Sequence, residues 1–156
     1  MQGGCTCGAV RYIMRDRPMF VNCCHCSWCQ RETGSAFALN AVIETDRLEV
    51  TGAVEWVLLP SASGKGQEVA RCAACKVALW SHYAGAGRLA AFVRVGTLDQ
   101  PGACPPDAHI FTATRLPWVV PDGRVPEFAG SYDLRALWPE AAQARRLAMK
   151  ARAAGG

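Results

Sequence analysis

A chain of 156 residues is long enough to bury a core as one domain, and with 51% hydrophobic and 19% charged residues it is neither disordered nor fibrous. The net charge of +4 is not spread over a face, because Arg145, Arg146, Lys150 and Arg152 follow Pro139 against Glu140 alone; this leaves a nearly neutral body and speaks against a nucleic-acid surface. No apolar run reaches the roughly 18 residues of a membrane span, and the start Met1-Gln2-Gly3-Gly4-Cys5 lacks a secretory leader pattern, so a cytoplasmic protein without membrane partners is expected.

In chain order, Gly8 to Met14 reads as a strand with Val10, Tyr12 and Met14 on one face, and Met19-Phe20-Val21 as a short buried strand. Ser27 to Thr33 has room for about two helical turns, with Ser27 as the cap and Gly34 as the stop. Phe37 to Ile43, Leu48 to Val50, Val54 to Leu59, Gln67 to Arg71, Val77 to Tyr83 and Leu89 to Val95 follow as strands. Ser61 to Gly66 is a hairpin connection that lacks the spacing of a phosphate loop. From Gly102 to Gly130 frequent prolines and glycines predict ordered loop, anchored by Ile110-Phe111 and Trp118-Val119-Val120. Asp133 to Arg152 is rich in helix formers and predicts a terminal helix beginning near Pro139, with its basic residues on a solvated face. One domain over residues 1–156 is expected, a body to about 132 and a helical tail beyond it, with no repeat and no linker.

Nine cysteines without a secretory leader point to metal ligands rather than disulfides. Cys5-Thr6-Cys7-Gly8 and Cys72-Ala73-Ala74-Cys75 each have the form of a metal knuckle, a tight turn that aims two thiolates at one ion. Together they supply the four ligands of a closed structural zinc site. Cys24, Cys26 and Cys29 supply three ligands of a second site. Its fourth position is left to water, a substrate thiol, or one of Cys23, His25, His82, Cys104 and His109, and spacing alone leaves a catalytic and a second structural zinc equally open. His25, His82 and His109 also fit ordinary hydrogen-bonded histidines, and no Ser/His/Asp order or nucleotide fingerprint is present.

Several stretches together resemble one family: Cys5-Thr6-Cys7-Gly8-Ala9-Val10-Arg11-Tyr12, the run from Cys24-His25-Cys26 through Gln30-Arg31-Glu32-Thr33-Gly34 to Phe37, Cys72-Ala73-Ala74-Cys75, Gly96-Thr97-Leu98-Asp99, and Pro106-Asp107-Ala108-His109. They are similar to the glutathione-dependent formaldehyde-activating enzymes, a family that also includes centromere protein V. The resemblance implies a mainly β single domain of packed antiparallel sheets, with a short helical turn after the central cysteines and a C-terminal helix. It also implies two zinc ions: a structural one on Cys5, Cys7, Cys72 and Cys75, and a catalytic one on Cys24, Cys26 and Cys29. The implied activity is that of a carbon–sulfur lyase, an S-(hydroxymethyl)glutathione synthase-like enzyme joining a glutathione-like thiol to formaldehyde or a related small aldehyde. The alternative is a non-catalytic zinc-stabilised interaction module, for which the basic tail is the only suggestive surface. Lys76 stands where the family usually has glycine, Cys23 is additional, and Arg31 is, by its position alone, either a contact to a substrate carboxylate or an ordinary surface arginine of the helix.

Overall fold

The computed structural model describes residues 1–154. Ten strands form, β1 Gln2–Gly4, β2 Arg11–Met14, β3 Phe20–Cys24, β4 Ala38–Glu44, β5 Leu48–Thr51, β6 Val54–Leu59, β7 Gln67–Cys72, β8 Ala78–Tyr83, β9 Ala90–Arg94 and β10 Ala108–Ile110. The α-helices are α1 Ser27–Thr33, α2 Leu134–Leu137 and α3 Glu140–Ala154. Strands β1-β2-β5 make a small sheet, and β10-β3-β4-β9-β8-β7-β6 a large one.

Alternation along β4 shows how the layers meet. Ala41 and Ile43 face a core shared with Val10, Tyr12 and Met14 of the small sheet and its lead-in turn. Val42, between them, faces the opposite side, where Phe20, Trp138, Ala142 and Met149 pack. The large sheet is thus covered by the small sheet on one face and by the C-terminal helices on the other. Each buried side chain of this size contributes about 1.5–3 kcal/mol.

The mainly β architecture matches the sequence reading, but β1 is not expected from it, and the anchor expected at Trp118-Val119-Val120 does not form, Trp118 and Val120 being 71% and 84% exposed; three further departures bear on the layers. Strand β10 pairs parallel with β3, setting His109 opposite Cys23 and Ile110 opposite Cys24, in a segment whose prolines predict only loop. The cap of α1 is Cys26 rather than Ser27, its Sγ accepting from the Cys29 N–H, while Gly34 ends the helix in the left-handed region at φ 63° as expected. The basic tail is a solvated face only in part: Lys150 and Arg152 are exposed, whereas Arg145 is drawn inward. Arg145 donates to both carboxylate oxygens of the buried Glu44, 2.9 Å from Nε to Oε1, and Arg152 pairs with Asp46 at 3.1 Å. Among the described residues, no helix is long and apolar enough to cross a membrane.

Candidate metal centres and the cavity

The first centre joins the two sheets. Cys5 and Cys7 lie in the turn between β1 and β2, Cys72 ends β7, and Cys75 lies in the turn to β8; all four sulfurs fall within 4.8 Å of one another. The Cys5–Cys7 and Cys7–Cys72 sulfurs are 3.4 and 3.8 Å apart. A tetrahedron with about 2.3 Å metal–sulfur bonds has sulfur–sulfur edges of about 3.8 Å, so the spacing fits an ion such as zinc. Backbone N–H groups complete the fit, Val10 donating to Cys5 Sγ at 3.2 Å and Cys75 to Cys72 Sγ at 3.5 Å. Both turns need a left-handed residue after the second cysteine: Gly8 at φ 77° in one, and in the other Lys76 at φ 65°. All nine cysteines are free thiols.

The second centre is assembled locally. Cys24 ends β3, Cys26 caps α1 and Cys29 sits one turn inside it, all buried and within 4.8 Å of one another. The loop between strand and helix is pinned from below. The His25 N–H donates to Ile110 O at 2.9 Å, and His25 O accepts from Gln30 Nε2 at 2.8 Å and from Thr114 Oγ1 at 3.0 Å. Hydrogen bonds from the Cys24 and Cys29 thiols push the Cys26 thiol far below its ordinary range, while sharing a proton with Cys26 and Cys29 drives Cys24 far above it. Three buried sulfurs within 4.8 Å of one another are a donor set suited to a soft or borderline cation.

None of the remaining candidates completes this centre. Cys23 precedes Cys24 on the strand and therefore faces the other side of the sheet, where its Sγ lies 3.5 Å from His25 Nε2. His25 Nε2 in turn is 2.9 Å from His109 Nδ1, so Cys23, His25 and His109 form a separate group behind the three thiols. His82 donates from Nδ1 to Ala90 O at 2.9 Å and stacks on Trp56. Cys104 is packed in the core with Tyr12, where burial pushes its thiol up to about 11. Among the described residues, no fourth Cys, His, Asp or Glu donor lies within 4.8 Å of all three sulfurs.

Cys24, Cys26 and Cys29 open instead onto a cavity of about 310 Å³. Its walls come from sequence-distant segments: Asn22 and Asn40, which face each other across β3 and β4, then Tyr83 and Phe92, and Tyr132 and Trp138 from the C-terminal side. The Trp138 indole, a donor only, gives its N–H to Tyr132 Oη at 2.8 Å, so the Tyr132 proton goes on to Asn22 Oδ1 at 2.9 Å. This relay sets the amide orientation of Asn22, a residue of the same wall as Cys24, and leaves Nδ2 as its donor. Arg31 is exposed on α1 and does not line the cavity. The available sequence signal for the wall is Asn22, a polar residue inside the apolar run Met19-Phe20-Val21-Asn22.

The fold and site together define a cysteine-rich β domain with two thiol centres, one clamping the sheets and one at the floor of a cavity. The family profile "Glutathione-dependent formaldehyde-activating enzyme" matches residues 1–114, and the chain belongs to that family. It is 35% identical over 86 residues to a Halomonas elongata protein named "Putative glutathione-dependent formaldehyde-activating enzyme"; the match covers 51% of this chain and 54% of the relative, so the chain spans about half the length of that curated protein. A crystal structure of a Rhodobacter sphaeroides protein is similar over 81% of this chain and 99% of its own, at 23% identity and a TM-score of 0.47.

Proposed function

We propose that the chain is a zinc enzyme that adds a thiol to formaldehyde or a related small aldehyde, a carbon–sulfur lyase acting in the direction of synthesis. Cys5, Cys7, Cys72 and Cys75 would hold a structural zinc, and Cys24, Cys26 and Cys29 a second one. The observation that carries the reading is the opening of these three sulfurs onto a cavity with no fourth Cys, His, Asp or Glu donor beside them among the described residues. Family membership supports a thiol and formaldehyde as the substrate pair, glutathione being the thiol that the family's description names.

When bound at three thiolates, zinc supplies the Lewis acidity that lowers the pKa of an incoming thiol toward neutrality. The rest falls to the chain. Asn22, held through its Oδ1 by Tyr132 and Trp138, would offer its Nδ2 amide to the carbonyl oxygen, where negative charge develops. Sulfur bonds to the carbonyl carbon, the C=O π pair moves to oxygen, and the proton released by the thiol is replaced by one taken up from water at the new hydroxyl. The product is the S-hydroxymethyl adduct, and the reverse path is the lyase reaction. The rival reading, an interaction module using the basic tail, loses one of its cations, because Arg145 is engaged by the buried Glu44.

The test is metal analysis combined with X-ray absorption at the zinc edge. Two zinc ions per chain are expected, with a change in the sulfur shell when thiol is added and an adduct visible by NMR. A second ion already bound by four protein ligands and unmoved by any thiol would overturn the reading.

A further inference from the structure

We infer that Arg94, buried at the end of β9, is a positioning residue whose fixed positive charge holds a substrate thiolate at the second centre, acting from behind the cavity without touching the substrate. The inference rests on the proposed reaction and adds a residue to it.

Strand register places Arg94 on the face of the sheet that carries the centre. Asn22 of β3 lies opposite Asn40 of β4, and Asn40 lies opposite Arg94 of β9, so the three form one row across neighbouring strands. Cys24 follows Asn22 by two residues and points to the same face, onto which α1 brings Cys26 and Cys29. Arg94 is 6% exposed, and both its side-chain partners are neutral: it donates to Asn40 Oδ1 and, at 2.8 Å, to Ser81 Oγ, while its Nε is buried without a partner. The buried carboxylate of α1, Glu32, is engaged by Arg71. Asn40 lines the cavity and Arg94 does not, so the guanidinium sits one side chain behind the wall.

A guanidinium taken out of water with no carboxylate beside it is costly, and a fold keeps such a charge where an anion offsets it. The anion on this face is the metal centre. Three thiolates exceed the two charges of zinc by one, and an incoming thiolate raises the excess to two. Attraction to a fixed cation grows with that excess, so Arg94 favours the thiolate-bound form over the water-bound form. Its charge reaches the neighbourhood of the sulfurs. Burial pushes the Tyr83 phenol up and Arg94 acts against it, while Cys29 and Cys24 add to the rise, so one cavity side chain senses both the cation and the thiols.

The experiment titrates zinc-loaded protein with 2-mercaptoethanol, whose only charge on binding is that of its sulfur, in a calorimeter at pH values from about 6 to 9. Arg94→Gln keeps a donor for Asn40 but removes the charge; Arg94→Lys keeps the charge. Arg94→Gln is expected to raise the midpoint pH of thiol binding by about one unit, which is about tenfold weaker binding at neutral pH, and Arg94→Lys to recover most of that loss. Zinc affinity of the second centre, read by chelator competition, should fall at least about threefold in Arg94→Gln and recover in Arg94→Lys. Asn40→Asp sets a carboxylate against an intact Arg94 and should raise the midpoint in the same direction, which decides the matter even where Arg94→Gln does not fold. An unchanged midpoint in the neutralised variants overturns the inference. So does an Arg94→Lys protein as weak as Arg94→Gln, since Arg94 would then act by hydrogen-bond geometry alone. A loss seen with 3-mercaptopropionate but not with 2-mercaptoethanol overturns it too, because Arg94 would then be a contact for a substrate carboxylate. A parent protein that binds no thiol at any pH sinks the proposed reaction instead, and the zinc affinities then decide the role of Arg94 by themselves.

Discussion

Arg71 of β7, the residue before Cys72, donates its guanidinium to Glu32 of α1, three residues after Cys29, and its other nitrogen to Lys76 O at 3.0 Å. One side chain thus links the turn of the first centre to the helix of the second, and the Glu32 side chain is only 8% exposed. Arg71→Met would leave that carboxylate without its partner, at a cost of about 1–3 kcal/mol. Because the variant touches no thiol yet loosens α1, metal affinity at the second centre should fall about tenfold in a competitive chelator titration. An unchanged affinity would mean that the pins on the His25 loop hold α1 alone.

Lys76 occupies the left-handed region at φ 65°, where a Cβ is costly and glycine is not. Its ammonium pairs with Glu55 at 2.7 Å, but that contact is exposed and of little worth. Lys76→Gly should therefore stabilise the protein by about 0.5–1 kcal/mol in denaturant unfolding. A loss of stability would show that the ion pair outweighs the backbone strain.

The Arg145–Glu44 pair makes stability depend on pH. Burial alone would raise the Glu44 carboxyl, but the hydrogen bonds and charge of Arg145, aided by Arg47, outweigh it and hold the group below the usual carboxylate range. A depressed folded pKa stabilises above the unfolded value, about 4.3, and that contribution drains away as pH falls through the lower folded value. Glu44→Gln should flatten the acid limb of the stability curve measured between about pH 5 and 3. Arg145→Ala, which leaves the buried carboxylate only the longer contact to Arg47 at 3.6 Å, should cost about 1–3 kcal/mol at neutral pH and detach α3 first in hydrogen exchange.

These cases show what was legible in advance. Each cysteine knuckle could be read directly, because it is built from residues two or three apart and its geometry is local, and the left-handed turn at Lys76 belongs to the same local grammar; the meeting of Cys7 with Cys72 spans 65 residues and no local spacing gives it. The wall of the cavity could not, since Asn22, Tyr83, Phe92 and Trp138 meet only after the sheet forms. Strand β10 is three residues long between prolines and exists through its partner β3. The cap of α1 falls one residue before the serine that composition favours, because the loop geometry brings the Cys26 sulfur, a weak acceptor, onto the Cys29 N–H. The docking of α3 depends on Glu44, 101 residues away from Arg145, and no local pattern marks it.

The two centres should respond differently to loss of one thiol. Cys72 is fully buried where the two sheets meet, so Cys72→Ser should release one metal and unfold much of the body, because a structural ion contributes folding energy directly. Cys26→Ser should release the other metal while leaving most of the circular dichroism in place, since serine can still cap α1. Global unfolding of Cys26→Ser would mean that both centres are structural, and a Cys72→Ser protein as stable as the parent would remove the first centre from the fold's supports.

Cys23 separates a ligand from a neighbour. It lies behind the sheet from the cavity, 1% exposed, and burial pushes its thiol up to about 12. Cys23→Ala removes one buried sulfur beside His25 and should cost about 1 kcal/mol, as small deletions in a packed core do. The number of bound metal ions and the affinity of the second centre should not change, because strand alternation keeps Cys23 from reaching the three sulfurs on the other face. Loss of a metal ion in this variant, read by elemental analysis, would show that β3 rearranges on metal binding and that the second centre is closed from within, leaving no position for a substrate thiol.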